Sequence, residues 1–159
     1  MGVAERKSTP SFRSVGFMLS TLGYAISRGF HRVLAPVELE PSQFAVLRGL
    51  GADEGQSQQA LAQRLRISPS RMVAIVDELE SRKLLERRPH QSDRRVRNLH
   101  LTSQGRELLD QAVQLAAQHE LRITEPLTDD ERAQLLDLLE RVAASLDLAP
   151  GAHVALREG

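Results

Sequence analysis

Apolar residues recur at helical spacing in six stretches of this chain, and one basic stretch between them has the character of strands. The first stretch, about Ser14 to Ala35, carries Val15, Leu19, Leu22, Ile26, Phe30 and Val33 on one line and stops at Pro36. A second helix begins near Pro41 and carries Phe44, Val46, Leu47 and Leu50. Two glycines and two acids between Gly51 and Gly55 predict a turn. A short helix follows, about Ser57 to Leu65, with Ala60, Leu61 and Leu65 as its expected buried face.

Ser68-Pro69 predicts the start of the next helix. A serine there can accept from free N–H groups, and proline suits the first helical position. Met72, Ile75, Val76 and Leu79 form its core line. Two short helices joined by a tight turn make a helix-turn-helix. Leu84–Arg88 and Val96–Leu101 are expected to pair as strands around a loop of Pro89, His90, Gln91, Ser92 and Asp93, giving a wing. Thr102 or Ser103 should cap the fifth helix, whose line is Leu108, Leu109, Ala112, Leu115, Ala116 and Ile123, with Pro126 ending it. Thr128 and Glu131 match a capping box for the sixth, which carries Leu135, Leu138, Leu139, Val142 and Leu146.

The fold class expected is mainly α (α+β): a winged helix-turn-helix with a helical dimerisation lobe built from both termini. Residues 1–13 are expected to be a mobile arm and 149–159 a loose tail. Residues 14–36 and 103–148 form the dimerisation lobe, and 40–102 the DNA-binding lobe. The terminal helices carry more apolar surface than a domain of this size needs, and a two-fold partner would cover it.

Composition changes this picture little; the distribution of charge changes it more. The 159 residues hold 21 basic and 21 acidic side chains. Between Ser57 and Thr102, however, ten are basic and five acidic, a net of +5, and seven of the ten fall between Arg82 and Arg97. Concentrated positive charge attracts phosphate whatever the net charge of the protein. With no cysteine, the chain has no disulfides, thiol sensing or thiolate metal sites. No apolar run is long enough to span a bilayer and no signal-peptide pattern stands at the N-terminus, so a cytoplasmic protein is expected. The five histidines form no metal-ligand spacing, and no phosphate loop or catalytic arrangement is evident. No enzyme, metal or cofactor is expected.

In the recognition helix, Ser68, Pro69, Ser70, Arg71, Val73 and Ala74 are the candidates for DNA contact. Arg71 can read guanine bidentately, Ser70 can serve phosphate or base, and Val73 and Ala74 can meet thymine methyls. Arg87, Arg88, Arg94 and Arg97 in the wing are candidate phosphate contacts. Arg28, His31 and Arg32 could meet an anionic ligand.

Asp93-Arg94-Arg95, then Leu101-Thr102 and Gly105, together with the segments at 41–50 and 60–88, resemble the MarR family of multiple antibiotic resistance regulators over nearly the whole chain, about Ser14 to Leu146. The resemblance implies a homodimer that binds a pseudo-palindromic double-stranded DNA operator, often as a repressor released by a small, possibly aromatic, molecule. It also implies that Asp93 orients Arg95, which then reaches into the minor groove. Positions 73 and 74 depart from the family, in which polar or basic residues such as Thr and Arg are frequent. The alternatives are a ligand-independent or activating regulator, a metal-responsive one, and a purely architectural winged helix.

Overall fold

The computed structural model describes residues 14–89, 97–146 and 148. The expectations for the N-terminal arm, most of the C-terminal tail, and Asp93, Arg94 and Arg95 at the wing tip lie outside the described residues. Six α-helices and one β-hairpin follow in the order α1 (Val15–Leu34), α2 (Pro41–Ala52), α3 (Gln58–Leu65), α4 (Pro69–Ser81), β1 (Leu85–Pro89), β2 (Arg97–Leu101), α5 (Ser103–Thr124) and α6 (Asp129–Ser145). A short 3-10 turn, Ala35–Val37, links α1 to α2.

Side chains that satisfy free N–H groups set most helix starts. Ser14, Ser57 and Thr102 accept from Phe17, Ala60 and Gly105, at 3.2, 3.1 and 3.0 Å. Thr128 and Glu131 form the expected capping box. Glu40 and Gln43 form a second one at α2, which the sequence analysis missed. Ser68 occupies the N-cap position of α4, but its hydroxyl caps nothing; Oγ is buried with no hydrogen-bond partner.

The core of the lobe expected to read DNA, residues 40–102 (the reading lobe), closes within one chain. Phe44, Val46, Leu47 and Leu50 of α2 meet Leu61 of α3 and Met72, Ile75, Val76 and Leu79 of α4. Leu85, Leu99 and Leu101 of the hairpin and Leu109 and Ala112 of α5 complete it. On α3 the buried alanine is Ala62, not Ala60, because 61, 62 and 65 share one face at 100° per residue and 60 lies opposite. Arg66, in the left-handed conformation (φ 54°), turns the chain between α3 and α4.

The hairpin runs from Leu85↔Leu101 to Pro89↔Arg97, so Pro89 ends β1 instead of starting the loop. Proline lacks one ladder donor, which costs least at a strand end. The base of the wing is locked to α5. Thr102 N–H donates to the Leu84 carbonyl at 3.2 Å and Thr102 Oγ1 to the Lys83 carbonyl at 2.6 Å. A Cβ on Gly105 would lie 1.8 Å from the Leu84 carbonyl oxygen, so only glycine allows this approach.

The terminal helices are different. α1 packs on α5, yet Val15, Phe17, Met18, Leu22 and Ile26 remain exposed. α6 has no buried residue, and Leu135, Leu136, Leu138, Leu139 and Val142 are all exposed. Among the described residues, no helix is long and apolar enough to cross a membrane.

Candidate nucleic-acid interface and ligand cleft

α4 buries Met72, Ile75, Val76 and Leu79, which leaves Pro69, Ser70, Val73 and Ala74 facing outward. Val73 is 44% exposed, so it is available to a partner. Arg71 does not stand opposite the core line. About 100° from Ser70 on the wheel, it lies on the flank of the helix, half-buried, and lines a cavity on the side of α1 and α2.

The basic wing stem is less free than its charge suggests. Arg87 donates from Nη2 to Asp77 Oδ1 at 2.5 Å and to Gln58 Oε1 at 3.2 Å, and Nη1 pairs with Glu80. Its backbone N–H also donates to Glu80 Oε1, at 3.2 Å. The side chain is only 20% exposed. Burial works against its charge, but the hydrogen bonds and charges of Asp77 and Glu80 outweigh that and raise its pKa above the usual arginine value. Arg87 thus joins α3, α4 and β1, and it neutralises the acids on α4. Arg88 pairs with Glu86 yet stays exposed, and Arg97 is exposed at the start of β2. Arg82 donates from Nη1 to the Glu38 carbonyl at 2.8 Å and so anchors the chain ahead of α2.

Glu54, in the turn after α2, is a second fastening. It accepts from Leu101 N–H at 3.0 Å and from Arg106 Nη2 at 2.6 and 2.8 Å. The Arg106 hydrogen bond holds the Glu54 carboxyl below the usual carboxylate range; burial opposes this, while the Leu101 N–H and the charges of Arg106 and His100 add to it.

A cavity of about 760 Å³ opens between α1, α2 and the helix-turn-helix. Its apolar side includes Ile26, Phe30, Phe44, Ala45 and Leu65, and the Phe30 and Phe44 rings meet edge to face with centroids 5.6 Å apart. Its polar side includes Arg48, Arg64, Arg71 and His31, with Glu40 as the acid. His31 Nδ1 lies 3.2 Å from Glu40 Oε2. Of the ligand residues suggested by the sequence, only His31 reaches this space. Arg28 stacks on Tyr24, with its guanidinium carbon 5.7 Å from the ring centroid, and Arg32 donates back to the Arg28 carbonyl. The arginines that do converge come from α2, α3 and α4. Nothing in their sequence spacing joins them, and only the packing of the three helices brings them together. Among the described residues, no group of three or more histidines, cysteines or acids is placed to hold a metal ion.

Known proteins agree with this geometry. A model described as MarR family matches residues 38–96. The chain is 31% identical over 131 residues to the HTH-type transcriptional regulator PecS of Dickeya dadantii (strain 3937), covering 80% of this chain and 79% of that protein. The transcriptional repressor CouR bound to a 23-mer DNA duplex superposes with a TM-score of 0.74 at 40% identity, covering 82% of this chain and 92% of that one. CouR bound to p-coumaroyl-CoA superposes with a TM-score of 0.72 at 34% identity, covering 86% and 98%. A helix-turn-helix with an outward recognition face, a wing fastened to its base and likeness of this extent lead to one conclusion: the chain belongs to the MarR family, as a winged-helix DNA-binding transcriptional regulator and not an enzyme.

Proposed function

We propose that this protein is a homodimeric repressor that binds a pseudo-palindromic operator and leaves it when an aromatic acid or its coenzyme A thioester fills the cleft between α1, α2 and α4. The exposed apolar line shared by α1 and α6 carries the dimer, since a second copy would bury it. Two recognition helices then lie about 34–36 Å apart, one turn of DNA. Pro69, Ser70, Arg71, Val73 and Ala74 meet the major groove, with Val73 and Ala74 against thymine methyls, whereas Ser68, expected from the sequence to join them, has its hydroxyl buried at the start of α4. Arg88, Arg94 and Arg97 hold phosphate. Asp93 orients Arg95 toward the minor groove. Arg87, expected from the sequence to hold phosphate, is assigned instead to positioning the wing against α4, because its guanidinium already serves Asp77, Glu80 and Gln58.

The observation that supports release is the cleft itself, apolar with an edge-to-face phenylalanine pair on one side and cationic on the other. CouR, 34% identical over its match, binds p-coumaroyl-CoA. Regulation of this kind acts in the cytoplasm, on double-stranded DNA. The test is to sequence the fragments that the protein enriches from genomic DNA, then measure their binding with and without aromatic acids and thioesters. A two-fold symmetric fragment bound far more tightly than random DNA supports the proposal. Equal affinity for enriched and random fragments overturns it.

A further inference from the structure

Arg71 belongs to two surfaces at once. It is the third residue of α4, in the turn that would enter the major groove, and it also lines the cleft together with Arg48 and Arg64. Arginines from α2, α3 and α4 lining a cavity that also holds Phe30, Phe44 and Leu65 suit a ligand with an aromatic body and an anionic end, because guanidinium matches carboxylate and phosphate geometry in a fork. Glu40 is the acid of the lining, and Arg64 already donates to the Gly49 carbonyl and lies 3.8 Å from Asp53.

The geometry points to Arg71 as a residue shared between operator and effector: the anionic group of the effector, carboxylate or phosphate, is received by Arg48, Arg64 and Arg71, and Arg71 is then withdrawn from DNA. This rests on the effector proposal above and gives it a mechanism. A guanidinium paired in the cleft cannot fork onto a guanine edge at the same time, so the two ligands compete for one side chain. The consequence is quantitative. An effector that withdraws Arg71 costs the operator what loss of that side chain costs, so the rise in operator Kd levels off near the factor lost by Arg71→Gln and disappears in that variant. Release through lobe displacement alone has its own coupling factor, which survives in Arg71→Gln.

The experiment uses the full chain and three probes with the same ring: p-coumarate, p-coumaroyl-CoA and the neutral p-coumaramide. Calorimetry reads probe binding, and a shift assay reads operator Kd across a probe series. The expected result is that at least one charged probe binds and raises the operator Kd to a plateau near the factor lost by Arg71→Gln, the carboxylate and thioester arms identifying which anion is used. The amide binds but changes the operator Kd less than about twofold. Arg71→Gln should weaken operator and charged probe together by about tenfold or more, leaving amide binding intact as the control for folding. Arg71→Lys should retain part of both.

An amide that releases operator as well as the charged probes, or a charged probe that still raises the operator Kd of Arg71→Gln, overturns the shared residue and leaves the effector proposal standing. So does an Arg71→Gln variant that loses operator but keeps its affinity for the charged probe. Failure of all three probes to bind at millimolar concentration overturns the aromatic-acid effector, and this inference with it. Should Arg71→Gln fail to fold, Arg71→Lys and the amide decide: release by the amide, or release undiminished in Arg71→Lys, overturns the shared residue.

Discussion

The reading lobe and the terminal helices obey the same apolar periodicity and end in opposite states. On α2 and α4 nearly every residue of the line is buried, and Val46, Leu47, Leu50, Met72, Val76 and Leu79 have no exposure at all. On α6 the equivalent line lies open, with Leu135 42% and Leu138 46% exposed. Periodicity says which face of a helix must be covered. It does not say whether the cover belongs to the same chain. A reading lobe complete in one chain joined to helices that are incomplete in one chain is what a two-fold regulator requires, because each half must fold a DNA surface before the pair can space it.

The strongest way to break the first half of this contrast is Gly105→Ala. The new methyl would fall on the Leu84 carbonyl, a backbone atom that cannot swing aside, so α5 must pull away from the wing. A loss of about 3 kcal/mol in denaturant unfolding is expected, with DNA binding reduced in proportion to the folded fraction. Stability within about 0.5 kcal/mol of wild type would mean that the approach of α5 is looser than the geometry requires.

The second half is tested by Leu135→Glu with Leu139→Glu on α6. Both are exposed in the single chain, so the reading lobe should keep its fold while the dimer dissociation constant rises about a hundredfold or more, near 2.7 kcal/mol. Light scattering at micromolar concentration should report a monomer. A folded dimer would place the interface elsewhere.

Arg87→Ala sharpens the picture inside the reading lobe. It leaves Asp77 and Glu80 unpaired beside the recognition face and frees the wing stem. The buried-pair penalty, discounted for partial exposure of the acids, gives a stability loss of about 1–2 kcal/mol. Affinity should fall for operator and random DNA alike, without the flatter salt dependence expected from Arg88→Ala, which loses a phosphate contact. A salt slope reduced equally by both variants would return Arg87 to the phosphate.

The smallest effect is Glu54→Gln, at about 1 kcal/mol near neutral pH. The folded carboxyl titrates below its ordinary value of 4.5, so its contribution is present above that pH and is lost as pH falls through the folded value. Wild type and variant should therefore converge in stability as the solution is acidified below 4.5, and a difference that widens there would refute the Arg106 pairing.

Local chemistry explains what could be read in advance. Caps such as Thr102 and Thr128 announce their helices because the partner is three residues away. The core line of α4 is legible for the same reason: 3.6-residue spacing is a local property. The ion pairs of Arg87 are not legible in the sequence because its acids lie seven and ten residues back, on a helix whose angle to the wing only the packed core sets. Arg28 and Arg32 show the opposite case. They share a helix face with His31, but each finds a partner on its own helix, Tyr24 for one and the Arg28 carbonyl for the other.

Among the described residues the two-stranded hairpin has no neighbour in a larger sheet, yet other parts of the chain meet both its edges. Along β2, Gly55 N–H donates to the Leu99 carbonyl and Leu99 N–H to the Gln56 carbonyl, at 3.0 and 2.9 Å, and Ser57 bridges to Asn98. Along β1, the Arg87 N–H that would face outward is taken by Glu80. A foreign strand therefore meets a covered edge along β2 and a missing donor along β1, which disfavours edge addition at the base of the wing. In the proposed dimer, pairing would then fall to the exposed apolar faces of α1 and α6 and not to the edges of the wing.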